Sequence, residues 1–390
     1  MKRKSTLYKL SLLAFFMASL VVVLGAFTRL VDAGLGCPDW PTCYGHIWVP
    51  NESHEIQAAN ELFDETPVET DKTWPEQIHR IFASSLGLVI LAIFAIAWRG
   101  REKDTKHKSV LLLLGVLVGG VIARVIVGDT LDPFMWVLVG LYFLNLLRVG
   151  KSSAPKAEPF LLPAGLAGLV ILQGFFGMWT VTLKLWPQVV TAHLLGGFAT
   201  ISLLWLLVQR SGECQWSLPA GSVVALYQAQ KIALAALILV VVQIALGGWT
   251  SSNYAALACP DFPLCQNSVI PVADYIQGFN FFQKLGPNYL GGLLDNEART
   301  AIHFMHRIGA VLVTLFIVWL AKRLWASAEE KAKRFAWLLI AMLVLQLSLG
   351  MSNILFALPL SVAVLHNAGG AILLLILVTI NHRLRTMKTL

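Results

Sequence analysis

Charge is what this 390-residue chain has least of. Asp, Glu, Lys and Arg make up 13% of it, where a soluble globular protein carries about 25%. With 57% hydrophobic residues arranged in long apolar runs, that deficit excludes a soluble domain and implies a polytopic membrane protein. A cleavage site is also lacking. The first run, residues 10–30, follows Lys2, Arg3 and Lys4, but no small-x-small motif ends it and it exceeds a signal-peptide core, so a retained span is expected. Thiolates and carboxylates are scarce within the runs, which argues against a zinc or di-iron centre there. The net charge of +8 does not point to nucleic acid, because the cations gather in particular loops: Arg99, Arg101, Lys103, Lys106 and Lys108; Arg148, Lys151 and Lys156; Lys322, Arg323, Lys331, Lys333 and Arg334; and Arg383, Arg385 and Lys388. By the positive-inside rule these loops and both termini are cytoplasmic. The segment 32–75 is rich in acids, has Lys72 as its single Lys or Arg, and is expected outside.

What is present is said twice. Residues 24–29 read LGAFTR and residues 246–251 read LGGWTS. Each is followed by a cysteine pair, CPDWPTC from Cys37 to Cys43 and CPDFPLC from Cys259 to Cys265. Next come IHRI with His79 and MHRI with His306. LQGFFGMWTVT (172–182) is answered by LQLSLGMSNIL (345–355), and AHLLGG with His193 by LHNAGG with His366. Such repetition marks a duplicated membrane unit.

Ten spans are predicted, at 8–31, 76–98, 109–127, 133–149, 159–181, 188–209, 231–250, 299–322, 335–357 and 360–381. Each is near the ~20 residues that cross the hydrocarbon as a helix, and helices satisfy their own backbone in lipid. From His79 to Gln173 is 94 positions and from His306 to Gln346 is 40, so the first half is longer by 54 residues. That excess matches the spans at 109–127 and 133–149. The fold class is therefore an all-α polytopic membrane protein: two pseudo-symmetric four-helix bundles in parallel repeat, with an inserted two-helix hairpin at about 105–155. The N-terminal half is 1–210 and the C-terminal half 211–390. Within the hairpin, Arg124 needs a partner, and Asp129 and Asp132 are the candidates.

Of nine histidines, His46, His54, His107 and His382 are expected in solvated places. His79, His193, His306 and His366 hold equivalent positions near the outer ends of the second and fourth helices of each repeat. One reading is interhelical hydrogen bonding. The other is bis-imidazole ligation of haem iron, which suits paired histidines on facing helices followed by small residues. Arg80 and Arg307 follow two of them and suit either haem propionates or interfacial snorkelling. Glu76 lies one turn before His79, as a helix-start carboxylate or a general base; His303 takes its place in the second half, so one half can do chemistry while the other holds a permanent cofactor. Both Cys-x5-Cys pairs fall on the outer side and suit disulfides or a redox relay. Cys214 falls outside both pairs.

The AGLGCPDWPTCYG run, the ExxHR element from Glu76 to Arg80, GMWTVT, HLLGG, GGWTSSNYAALACPDFP, HRIGA and HNAGG together resemble the haem A synthase family of bacteria and mitochondria. The resemblance covers nearly the whole chain except the insert, which departs from that family's usual eight spans. It implies an oxidoreductase of the bacterial inner membrane that turns haem O into haem A, the C8 methyl becoming a formyl group by successive hydroxylations with water-derived oxygen. It implies haem b as cofactor on His306 and His366, haem O as substrate between His79 and His193, Glu76 in proton abstraction, and Cys37 and Cys43 as a redox-linked pair. Partners so implied are haem O synthase, terminal-oxidase assembly factors and an unidentified electron acceptor. Two rivals are a di-haem b-type protein that only transfers electrons, which gives Glu76 no task, and a haem transporter or delivery chaperone, which makes no oxidised product.

Overall fold

A computed structural model describes residues 5–99, 105–127, 131–152, 160–327 and 329–390. A helix stands at each predicted span: α1 (Thr6–Leu30), α3 (Thr70–Trp98), α4 (Thr105–Val127), α5 (Asp132–Ser152), α6 (Leu161–Thr182), α7 (Pro187–Ser211), α9 (Ala229–Ser252), α11 (Asn296–Trp325), α12 (Glu330–Leu355) and α13 (Leu360–Thr386). Among the described residues nine of these are long and apolar enough to cross a membrane. Short helices α2 (Ser53–Leu62), α8 (Ala220–Tyr227) and α10 (Tyr275–Gly278), and a two-residue parallel pairing of β1 (Ser217–Leu218) with β2 (Lys388–Thr389), complete the chain. Their apolar surface fits lipid: Leu88, Leu112, Leu144, Val311 and Leu315 stay exposed although each lies mid-helix.

The chain folds as two compact units. One comprises Met1–Leu20, Ile81–Gly177 and Ala199–Glu213; the other comprises Val21–Arg80, Met178–Phe198 and Cys214–Leu390. The first contains the hairpin α4–α5. Arg124 pairs there with Asp132 at 3.0 Å, as a cation in an apolar helix requires; Asp129, the other candidate, lies outside the described residues, as do Arg101, Lys103 and Lys156. Ser109 and Asn145 join α4 to α5 at 2.9–3.1 Å. The Tyr142 hydroxyl donates to the Ala164 carbonyl at 2.7 Å, its ring lying where a side chain on Gly168 would stand.

In the second unit, α9 packs on α11, α11 on α12, α12 on α13 and α13 on α9. This closed ring is a four-helix bundle in which α11 and α13 are diagonal. Its core includes Ala233, Ala236, Ile317, Leu320, Leu339 and Leu377. His382, expected to be solvated, is instead buried with them near the end of α13, 7% exposed, because the helix carries five residues past the predicted span before it ends at Thr386.

The duplication is written into the backbone. Left-handed residues come in register: at helix ends, Asp32 (φ 52°) with Tyr254 (φ 53°), and Lys184 and Leu185 (φ 48° and 60°) with Ala357 and Leu358 (φ 53° and 62°); in the disulfide loops, Tyr44 (φ 53°) with Gln266 (φ 53°). The same reversed bonds close those ends: Ala33 N–H to Thr28 O and Ala255 N–H to Thr250 O, each 2.9 Å, then Leu185 N–H to Thr180 O at 2.8 Å and Leu358 N–H to Asn353 O at 2.7 Å. Helix ends leave carbonyls without partners, and a left-handed turn satisfies them. None of these residues is glycine, so composition does not mark the turns.

Candidate haem-ligand site

Both cysteine pairs form disulfides, with Cα atoms 4.8 Å apart for Cys37–Cys43 and 4.6 Å for Cys259–Cys265. Each loop is held from within by its aspartate. Asp39 accepts from the N–H groups of Tyr44 (2.6 Å) and Gly45 (2.9 Å); Asp261 accepts from those of Gln266 (2.6 Å) and Asn267 (2.8 Å). Each loop contains one cis X-Pro bond, Trp40-Pro41 and Phe262-Pro263.

Helix α3 brings Glu76 and Arg80 beneath the first loop. Glu76 is 5% exposed. Its Oε2 accepts from the Cys37 N–H at 2.9 Å, and its Oε1 pairs with Arg80 Nη2 at 2.6 Å. Arg80 Nη1 donates to the carbonyls of Asp39 (2.9 Å) and Thr42 (2.7 Å). In the second copy, Arg307 donates to the carbonyls of Leu264 and Cys259, both at 2.7 Å. His303 stands where Glu76 does: its Nδ1 is 3.3 Å from the Cys259 N–H and its Nε2 3.3 Å from Arg307 Nε. A neutral imidazole accepts from one of these at a time, because its other nitrogen carries the proton. Glu76 and His303 thus do the same mechanical work under their loops, but one is a carboxylate and the other is not.

The structure brings His79 of α3 and His193 of α7 together, ring centres 6.3 Å apart and planes at 86°. A glycine clears the space beside His79: a Cβ on Gly25 would lie 2.9 Å from His79 Cε1. Helices α11 and α13 set His306 and His366 on the diagonal of their bundle. Gly247 of α9 does for His306 what Gly25 does for His79, a Cβ there meeting Cε1 at 3.2 Å; Gly350 of α12 does the same for His366 at 3.2 Å. His46 and His54, between α1 and α3, stand apart from these four, His54 exposed and His46 half-buried, and His107's side chain lies outside the described residues.

Several working residues had no signal in the pattern as read. Gln243 and Gln346 bond to the backbone of the ligand-candidate histidines. Arg29 reaches the Ser251 carbonyl at 2.6 Å and the Tyr254 hydroxyl at 3.0 Å. The repeat could have marked only Gln346, which aligns with Gln173; Gln243 aligns with Val21 and Arg29 with Ser251.

A model of the cytochrome oxidase assembly protein family COX15-CtaA matches residues 8–133 and 122–378. The chain belongs to that family. Among curated relatives of this COX15-CtaA member, the "Heme A synthase" of Shewanella oneidensis is 40% identical over 363 residues, covering 93% of this chain and 92% of the relative. That of a Caulobacter species is 29% identical over 384 residues (97% and 95%), and that of Nitrosospira multiformis is 26% identical over 385 residues (94% and 89%).

The residues of this COX15-CtaA chain fit a haem. Two imidazoles bonded at about 2 Å to opposite sides of one metal have ring centres roughly 6 Å apart, and His79 and His193 stand 6.3 Å apart. The Nδ1 atoms of His79, His193 and His366 are buried without a protein hydrogen-bond partner. Buried polar groups in a finished site are usually satisfied, and these rings are left uncommitted to the helices around them. Among the described residues no group of three His, Cys, Asp or Glu could hold a bare metal ion; a macrocycle that brings its own equatorial ligands needs only two.

Proposed function

We propose that this chain is a haem A synthase, a multi-pass membrane oxidoreductase that oxidises the C8 methyl of haem O to a formyl group. The observation that carries the reading is the paired histidines of two copies, His79 with His193 at bis-ligand spacing and His306 with His366 across a closed bundle, in a chain 40% identical to a named heme A synthase over nearly its whole length.

In this reading the halves 1–210 and 211–390 divide the labour. His306 and His366 hold haem b as resident cofactor. His79 and His193 bracket haem O as substrate and fix the height of its methyl. Bound haem iron supplies the oxidising power that no side chain has. Each hydroxylation takes oxygen from water and releases two protons and two electrons, and the protein's part is to place a base, exclude bulk water and let the protons leave. Glu76 is the base: a buried carboxylate one helical turn from His79, held by Arg80 and the Cys37 N–H, which lead toward the outer surface. His303, lacking a carboxylate, leaves the second copy without that base. Arg80 and Arg307, each next to a ligand histidine, are our candidates for haem propionates, sharing donors with the loop carbonyls they already hold. The cation-rich loops place both termini on the cytoplasmic side of a bacterial inner membrane. Electrons pass to an acceptor outside the chain, with haem O synthase and oxidase assembly factors as neighbours.

Glu76→Gln tests the assignment. The variant keeps an acceptor for the Cys37 N–H, so the disulfide loop and the bound cofactor persist, while extracted porphyrins contain haem O and no haem A by chromatography. A normal haem A yield removes Glu76 from the chemistry.

A further inference from the structure

Gln243 lies on α9 one turn before Gly247. Its Nε2 donates to the His306 carbonyl at 2.9 Å and stands 3.1 Å from His306 Nδ1. The amide fits because residue 309, one turn beyond the histidine, is glycine: a Cβ there would collide with Gln243 Oε1. A second helix pair repeats the device. Gln346 of α12 donates to the His366 carbonyl at 2.8 Å, and a Cβ on Gly369, one turn beyond His366, would collide with Gln346 Oε1. Both histidines of the second copy are therefore gripped at the backbone by a glutamine seated on a glycine.

In the first copy, the positions matching Gln346 and Gly369 are Gln173 and Gly196, but Gln173 Nε2 is buried without a hydrogen-bond partner, so the residues recur without the bond. The positions matching Gln243 and Gly309 are Val21 and Phe82. His79 alone among the four has neither residue at the matching positions. The two parts are absent together, as expected if neither serves without the other.

The physical consequence concerns ligand order. A carbonyl already bonded within its helix that accepts a second bond from a buried amide fixes the backbone from which the imidazole projects, and such bonds are strong where water is excluded. Gln243 also touches the ring. The amide cannot turn to accept from ring Nδ1 without losing its bond to the carbonyl, so the grip is on the backbone. We infer that this glutamine–glycine clamp makes Gln243 and Gln346 positioning residues for permanent haem ligation by His306 and His366, and that its absence leaves His79 as the exchangeable ligand, through which substrate enters and product leaves. The inference rests on the proposed function above.

The test uses the purified full-length protein. Gln243→Leu keeps a low-spin haem but shifts its electron paramagnetic resonance g-values and midpoint potential, and passes haem to an apomyoglobin trap roughly 10–100-fold faster, the usual effect of removing a ligand's outer partner. Gln243→Glu, whose carboxylate cannot donate to the His306 carbonyl, passes haem to the trap as fast as Gln243→Leu does. Reciprocally, Val21→Gln combined with Phe82→Gly makes haem A co-purify with the enzyme and slows its release. Unchanged g-values, potential and transfer rate in Gln243→Leu overturn the clamp. A wild-type protein with no low-spin haem signal that His306→Ala abolishes overturns the underlying reading instead.

Discussion

Arg80 lies between one carboxylate and the carbonyls of the first disulfide loop, with side-chain exposure of 12% against 6% for Glu76. A buried pair of this kind is weak evidence of net stabilisation, because desolvation offsets attraction, but removing one partner leaves the other charge stranded. Arg80→Met is therefore expected to destabilise the protein by about 3–5 kcal/mol, and Arg80→Met with Glu76→Gln by distinctly less. Thermal unfolding of the detergent-solubilised protein measures both; equal losses in the single and double variants would show that the two side chains do not depend on each other. At this scale the sequence was readable where it repeated. His79, His193, His306, His366 and both cysteine pairs stand out because each half carries the same unusual residues at the same place. Gln243 did not, since one glutamine in an apolar span reads as generic interhelical polarity and its counterpart is Val21. The roles open to Arg80 depend on the loop folding back over α3, a contact across about forty residues that no local pattern encodes.

The elements were legible through their apolar runs, and their ends were not. The second and eighth predicted spans begin at residues 76 and 299, but α3 starts at Thr70 and α11 at Asn296. The extra residues, TDKTWP and NEA, are polar or helix-starting, so hydropathy stops at the hydrocarbon edge while hydrogen bonding continues beyond it. The disulfide loops show the reverse: no periodicity, yet a defined shape set by one aspartate each. Asp261 is held below the ordinary carboxylate value of 3.8, first by the N–H of Asn267 and then, against some desolvation, by that of Gln266. A group whose folded pKa is depressed contributes stability above its unfolded pKa and loses it as pH falls through the folded one. The Cys259–Cys265 loop should hold firm at pH 5 and above, and loosen as pH drops below about 4. Reduction of that disulfide by a phosphine, followed by mass spectrometry, should accelerate over this range in the wild-type protein. Asp261→Asn should be fast at every pH; a variant as resistant as the wild type at pH 7 would show that the carboxylate does not hold the loop.

For the molecule as a whole, duplication raises the question of how two copies stay in register while their histidines take different duties. Within the unit that contains all four histidines, the copies meet through side chains that break the repeat. Arg29 at the end of α1 donates to the Ser251 carbonyl, to the Tyr254 hydroxyl and to Asp32 Oδ1 at 3.1 Å, its guanidinium 4.3 Å from the centre of the Tyr254 ring. Tyr254 in turn donates to Asp32 at 2.8 Å, and Thr191 meets Ser252 at 3.1 Å. The aligned residue in the second copy is Ser251, so a symmetric pair of arginines is avoided and one cation serves both sides of the seam. It sits one turn from Gly25 and, through Ser251, one turn from Gly247, the two glycines that make room for His79 and His306. A disturbance here should therefore reach both sites. Arg29→Gln removes a hydrogen bond to a charged group, worth about 1.5–3 kcal/mol, and is expected to lower the unfolding midpoint, the His306-dependent haem absorbance and the haem A yield together. Spectroscopy and pigment extraction on one preparation decide the matter: if haem A yield falls while the second copy's haem and the unfolding midpoint stay at wild-type values, Arg29 belongs to the first copy alone and the seam does not couple the two.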